Sequence, residues 1–92
     1  MAYVYILASE RNGTLYIGVT KSLKKRVWEH RNDFTKGFTE HYGVHQLVYY
    51  AVYDSIVDAI ASEKKLKNLG RVRKLAIIEK FNPEWRDLYE EI

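Results

Sequence analysis

Two short runs of β-forming residues open the chain, Tyr3 to Ala8 and Thr14 to Thr20, both rich in Tyr, Ile, Leu and Val. Between them Glu10-Arg11-Asn12-Gly13 carries Asn-Gly, the dipeptide best suited to a two-residue hairpin turn. With Arg11 paired to Thr14 across such a turn, odd positions of the first strand share a face with even positions of the second. Tyr3, Tyr5, Tyr16 and Gly18 then line one face, while Val4, Ile6, Leu15 and Ile17 line the other and serve as core. Ser22 is placed to cap a helix running to about Asn32, with Leu23 and Val27 on its inner stripe and Lys24, Lys25 and Arg31 pointing outward. A Gly-containing connection follows, with a short helix near Thr39 to Tyr42. Gln46 to Tyr53, dense in β-formers, is a third strand. Ser55 caps a helix to about Leu69, Gly70 ends it, and a last helix spans about Arg71 to Phe81 before Asn82-Pro83. The order strand, strand, helix, strand, helix, helix predicts an α+β fold, a three-stranded mainly antiparallel sheet flanked by helices.

Composition narrows the setting. The 92 residues show no repeat, low-complexity stretch or linker, and they suit one domain over 1–92 with one core. A hydrophobic content of 47% is enough to build that core. Cysteine is absent, which removes disulfides, thiolate zinc sites and a cysteine nucleophile and agrees with a reducing cytoplasm. No signal peptide precedes the first strand, and the apolar runs are too short to cross a bilayer, so a cytoplasmic protein is expected. The net charge of +3 is unevenly spread. Lys21 to His41 carries net +3, Glu63 to Lys74 net +5, and Glu84 to Ile92 net −3. Two basic segments and an acidic end suit either one positive face for a polyanion or ordinary solvated helix faces.

Candidate chemistry begins with Glu63. Ile56, Ala59, Ile60 and Leu66 recur at helical spacing, and Glu63 falls within that stripe. A carboxylate facing an apolar interface loses hydration, so Glu63 lies at the stripe's edge, is ion-paired (Arg26, Lys64 and Lys67 are available), or binds a metal. With no second acidic ligand in view, such a metal would be a hard cation holding mostly water and phosphate, as Mg²⁺ does. Arg26 and His30 stand one helical turn apart and share a face. Arginine suits phosphate, and neutral histidine accepts a proton near neutrality, although both are also common solvated residues. The tyrosines pack well on a sheet, and a nearby cation would lower a phenol's pKa enough to let it take a proton from water. Gly18 inside a strand marks a bulge or a close approach of backbone or ligand.

Taken together, these residues resemble the GIY-YIG nuclease superfamily. The likeness rests on Tyr3-Val4-Tyr5, Tyr16-Ile17-Gly18-Val19-Thr20, Leu23, Arg26 and His30, then Thr39 to Tyr42, Leu47-Val48-Tyr49-Tyr50, Glu63-Lys64-Lys65 and Asn82 to Tyr89. Within the superfamily the chain looks most like small single-domain bacterial members related to the N-terminal nuclease domain of the bacterial excinuclease. The resemblance implies the GIY-YIG nuclease fold and a one-metal endonuclease acting on DNA with Mg²⁺ or Mn²⁺. It makes Tyr5 or Tyr16 the base for the attacking water, Arg26 the transition-state stabiliser, His30 a further catalytic position and Glu63 the sole protein metal ligand. Gly18, Lys24, Lys25, Lys64, Lys67 and Asn82 are then expected along the nucleic acid, with Asn82 before Pro83 equally able to end a helix. The chain departs from the pattern in places: Tyr3 stands for glycine and Ser62 for a frequent arginine, and the tryptophan frequent near Leu69 and the acidic residue frequent near Ala51 are missing.

A single carboxylate cannot hold two close metals, so a one-metal reaction fits the residues as well as the family. Weak or structure-selective specificity is expected, because 92 residues leave no room for a second DNA-reading module; a protein partner or homodimer would supply more. The alternative is a non-catalytic nucleic-acid-binding module that keeps the fold. Metal-independent binding, unaffected by loss of Glu63, separates it from the enzyme.

Overall fold

The computed structural model describes residues 1–32 and 42–92. Its strands are β1 (Ala2–Ala8), β2 (Leu15–Thr20) and β3 (Gln46–Tyr53), joined in one sheet of order β2-β1-β3 in which both pairings are antiparallel. The helices are α1 (Leu23–Arg31), α2 (Ile56–Asn68) and α3 (Arg71–Phe81), followed by a 3-10 helix at Leu88–Glu91. The α+β fold and the element order expected from the pattern are those observed. The helix expected near Thr39 to Tyr42 lies outside the described residues except for Tyr42.

The hairpin keeps its expected parity but not its expected turn. Tyr5 pairs with Gly18 and Leu7 with Tyr16, so the pairing sum is odd and the tyrosine face forms as anticipated. The loop has four residues rather than two: Ser9 N–H donates to Thr14 O at 3.0 Å, and Gly13 N–H donates to Glu10 O at 2.9 Å. Asn12 takes the left-handed conformation with φ 57°, which asparagine tolerates. The difference amounts to a register shift of two residues, and a period-2 strand returns each side chain to the same face after such a shift. The loop is then tied to α3 by the Arg71 guanidinium, which donates to Asn12 O at 2.6 Å and Gly13 O at 2.7 Å.

Both faces of the sheet are covered. Val4, Ile6, Ile17 and Val48 pack against Ala59, Leu66, Ile78 and Trp85, so α2 and α3 form one outer layer. Tyr5, Leu7 and Leu47 pack against Leu23, Val27, Val44 and Leu88, so α1 and the C-terminal segment form the other. The pattern pointed only to the first of these cores. The tyrosine and glycine face is expected opposite the core, yet Tyr5 is 1% exposed.

Helix boundaries hold with three corrections. Ser22 sits at the N-cap of α1 but its side chain makes no capping bond; its own N–H donates to Thr20 Oγ1 at 3.0 Å. Ser55 does cap α2, accepting from Asp58 N–H at 3.2 Å. Gly70 does not close α2 with a left-handed turn. Its φ of −66° is ordinary, and it serves as N-cap of α3. Ile60, placed on the inner stripe of α2 by its spacing, is 37% exposed, because α2 turns Ala59 and Leu66 inward and leaves Ile60 at the rim.

Candidate active site

The centre of the site is Tyr5, which β1 directs toward α1. Its hydroxyl lies 3.0 Å from His30 Nε2. Arg26, one turn before His30, hydrogen-bonds the same phenol. The Tyr16 ring completes the cluster, 6.3 Å from the Tyr5 ring and 5.1 Å from the His30 ring, centroid to centroid. Tyr5, Tyr16, Arg26 and His30 therefore meet, although they come from a hairpin and a helix.

Gly18 makes this possible. A Cβ at position 18 would lie 2.4 Å from the Tyr5 hydroxyl oxygen and 2.5 Å from the ring carbon bearing it. The phenol leans across the bare backbone of its cross-strand partner to reach His30. Gly18 was expected along the nucleic acid; it is buried instead, and its lack of a side chain is the space Tyr5 occupies.

The electrostatics follow from burial. Desolvation pushes the Tyr5 phenol up to about 12, outweighing the hydrogen bond from Arg26. The neighbouring cation was expected to lower a tyrosine's pKa; at Tyr5, burial wins. Burial also brings His30 down to about 4, helped by the Arg26 charge and His45 and opposed by Glu29. His30 is thus neutral at physiological pH. A neutral His30 with a protonated Tyr5 lets the hydroxyl donate to Nε2 while accepting from Arg26.

That arrangement has a pH signature. The unfolded histidine titrates near 6.5 and the folded one near 4, so the unfolded chain takes up the proton first. The contribution of a neutral His30 is complete above pH 6.5 and is lost as pH falls toward 4. We expect the urea midpoint of the wild type to fall across that window and the fall to be shallower in His30→Gln; equal slopes for the two proteins would refute the assignment.

Glu63 lies on the helix that covers the other side of the sheet. It sits on α2, mostly buried with its side chain 14% exposed, and pairs with Lys67 at 3.4 Å. Its charge nevertheless acts on the Tyr5 phenol, raising it further. Of the readings open to this residue, a place at the stripe's edge with an ion pair is observed. No group of three or more His, Cys, Asp or Glu is arranged to hold a metal among the described residues. The donor set here is one carboxylate, and it fits a hard cation that keeps water and phosphate as its other ligands.

Other expected contacts divide. Lys25 lines a polar cavity of about 300 Å³ together with Thr20, Ser22, Arg26 and Glu29. Lys64 is exposed on α2. Lys67 is engaged by Glu63, and the Lys24 ammonium donates to Ile92 O at 3.2 Å. Asn82 is not available to nucleic acid: it is 3% exposed, donates to Val48 O at 3.2 Å and Arg86 O at 2.8 Å, and accepts from Arg86 N–H at 3.1 Å. It ends α3 before Pro83 and ties that turn to β3, which is the structural role its position allowed.

One participant escaped the sequence reading. Glu29 Oε1 lies 3.4 Å from Arg26 Nη1 and shares its cavity, so the arginine is held between a carboxylate and a phenol. The i,i+3 spacing of Arg26 and Glu29 on one helix was the available signal.

Comparisons with known proteins agree with this fold. The model of the GIY-YIG catalytic domain matches residues 1–83. The solution NMR structure of a UPF0213 protein from Bacillus halodurans is similar to this chain at 26% identity and a TM-score of 0.58, covering 95% of this chain and 93% of that one. No functionally curated protein matches the sequence. A sheet that seats two motif tyrosines against an arginine and a histidine, with a match over nearly the whole chain, establishes that this protein belongs to the GIY-YIG catalytic-domain family.

Proposed function

We propose that this protein is a metal-dependent endonuclease that hydrolyses phosphodiester bonds in DNA by a one-metal reaction. The observation that carries the reading is the convergence on Tyr5 of His30, Arg26 and Tyr16. Family membership supports a nuclease and a nucleic-acid substrate.

Attack on a phosphodiester needs an activated water, relief of charge on the phosphorane oxygens and a stabilised leaving alkoxide. Arg26 opens into the 300 Å³ cavity with Lys25, Thr20 and Ser22, where its guanidinium meets the phosphate oxygens. Glu63 would hold one Mg²⁺ or Mn²⁺, which polarises the phosphate and supports the leaving oxygen when bound. Tyr5 has no room for a water, being 1% exposed, and its pKa near 12 keeps it protonated. It is a positioning residue for Arg26 and His30. Tyr16, half-buried beside the same histidine and interacting with Arg26, is the phenol we assign to the attacking water. Tyr16→Phe is expected to cut the cleavage rate about 10²-fold at an unchanged melting temperature, since general-base groups contribute about that much. Tyr5→Phe is expected to lose stability as well, because it removes the buried bonds from the phenol to His30 Nε2 and Arg26. A Tyr16→Phe protein that cleaves normally would return the base to Tyr5 or to a group outside the pair.

Lys25 and Lys64 are assigned to the flanking backbone, which makes binding strongly salt-dependent. The deciding experiment is a panel of labelled duplex, flap, junction, single-stranded and RNA substrates with Mg²⁺, Mn²⁺ or chelator, run beside Glu63→Ala. Cleavage of none of them overturns the enzyme in favour of a binding module, and cleavage that survives chelation and loss of Glu63 overturns the one-metal reaction.

A further inference from the structure

Three cavities adjoin one another along the side of the molecule that carries the N-terminal end of α1, and their chemistry changes in order. The first, about 300 Å³, is the Arg26 cavity described above. The second, about 430 Å³, shares Ser22 and Lys25 with it and adds Lys21, Lys24, Tyr3 and Tyr50. The third, about 400 Å³, shares Tyr50 with the second and adds Phe81, Pro83, Glu84, Arg86 and Glu91.

The second cavity is lined by Lys21, Lys24, Lys25, Tyr3 and Tyr50 together with Leu23 and Ile92, and by no acidic side chain; the Lys24 ammonium donates to Ile92 O at 3.2 Å, so Lys21 and Lys25 carry its attraction for an anion. That lining attracts an anion and offers hydroxyls to its oxygens. The third has the opposite character. Glu84 and Glu91 outnumber Arg86, and Arg86 is paired to Glu91 at 3.1 Å, so a phosphate is repelled there. What it offers is aromatic surface. Phe81 is 46% exposed, although it is a large apolar ring at the end of α3, and it stands edge-on to Tyr50 with centroids 5.5 Å apart and planes at 76°. Flat rings beside a polar rim of carboxylates and a guanidinium match a flat ligand that carries hydrogen-bond donors and acceptors on its edge, which describes a nucleobase.

We infer that the lysine-lined cavity and the Tyr50–Phe81 cavity form a subsite for one unpaired nucleotide flanking the scissile phosphate, with its phosphate on Lys21 and Lys25 and its base against Phe81. The inference rests on the proposed function only in taking the Arg26 cavity as the phosphate site. A strand held in this way leaves the reacting phosphate along α1, and the base it turns into the third cavity is withdrawn from any stack or pair. The acidic C-terminal segment, at odds with a polyanion partner on charge alone, is in this arrangement the part that meets a base and not a phosphate.

The test uses Glu63→Ala protein, so that no cleavage intervenes, and single-stranded oligodeoxynucleotides that carry a single abasic site moved one position at a time, with affinity read by fluorescence anisotropy. One abasic position is expected to weaken binding about tenfold, in line with one base stacked on one aromatic ring. Phe81→Ala is expected to weaken the intact oligonucleotide by the same factor and to leave that abasic one unchanged, while Phe81→Trp restores the intact affinity. Phe81 is exposed, so these variants retain the fold, which melting curves verify. Equal losses at every abasic position, the same loss in Phe81→Ala on both oligonucleotides, or no binding of any oligonucleotide would overturn the subsite. Failure of the wild type to cut sinks the enzyme reading and leaves this binding result standing, so the two are separable.

Discussion

Replacing Glu63 with glutamine is expected to lower the cleavage rate by about 10³-fold or more, with the fold intact. Glutamine keeps the shape of the side chain and removes the charge that a divalent ion requires. The fold tolerates the change because the ion pair lost is with Lys67, whose side chain is 53% exposed, and such surface pairs contribute about 0–1 kcal/mol. Two measurements check it together. A nicking assay in Mg²⁺ reads the rate, and melting with and without Mn²⁺ reads the ion, because a ligand that binds only the folded chain raises its melting temperature. Wild type should gain stability from Mn²⁺ and Glu63→Gln should not. A glutamine variant that nicks at the wild-type rate ends the one-carboxylate reading of this site.

The second large effect is at Gly18, where alanine is expected to damage both stability and activity. Its methyl group would sit 2.4 Å from the Tyr5 hydroxyl, far inside contact distance. A flexible side chain would swing away, but Tyr5 is fully buried, bonded to His30 at 3.0 Å and engaged by Arg26, so it has nowhere to go without breaking those bonds. Overpacking of this kind costs about 1–3 kcal/mol, which in a domain of this size lowers the melting temperature by roughly 10 °C. Whatever relaxation occurs moves Tyr5 off Arg26, so activity falls further than stability. Gly18→Ala together with Tyr5→Phe is expected to be less destabilised than the two single changes predict, since the ring, whose terminal carbon would still stand 2.5 Å from the methyl, is no longer held by His30 and Arg26 and can shift away. Additive losses would show that Gly18 and Tyr5 do not share one space.

These two residues mark what could be read from the chain and what could not. The hydrophobic pattern located β3, placed α2 after its Ser55 cap and gave the element order, because each depends on periodicity and on side-chain-to-backbone bonds a few residues apart. Strand parity put Tyr5 and Tyr16 on one face even though the turn was assigned two residues instead of four, for a shift of two leaves parity untouched. The i,i+4 spacing of Arg26 and His30 set them on the side of α1 that meets those rings. Asn82 was harder. Its place before Pro83 announced a helix end, but whether its amide faced nucleic acid or the backbone of β3 depended on residues 34 positions away.

The α+β order, the tyrosine face and the side of α1 that carries Arg26 and His30 were thus legible in the chain, since local geometry and a matching motif order are written there. Packing between distant segments settled the rest: that Gly18 yields its space to a phenol, that Tyr5 is buried under a second core, and that Glu29 holds Arg26. Solvent exclusion is the reason. How far a group is dehydrated is set by what packs over it from elsewhere in the fold, and dehydration is what pushed the Tyr5 phenol up where a nearby cation alone would have pulled it down.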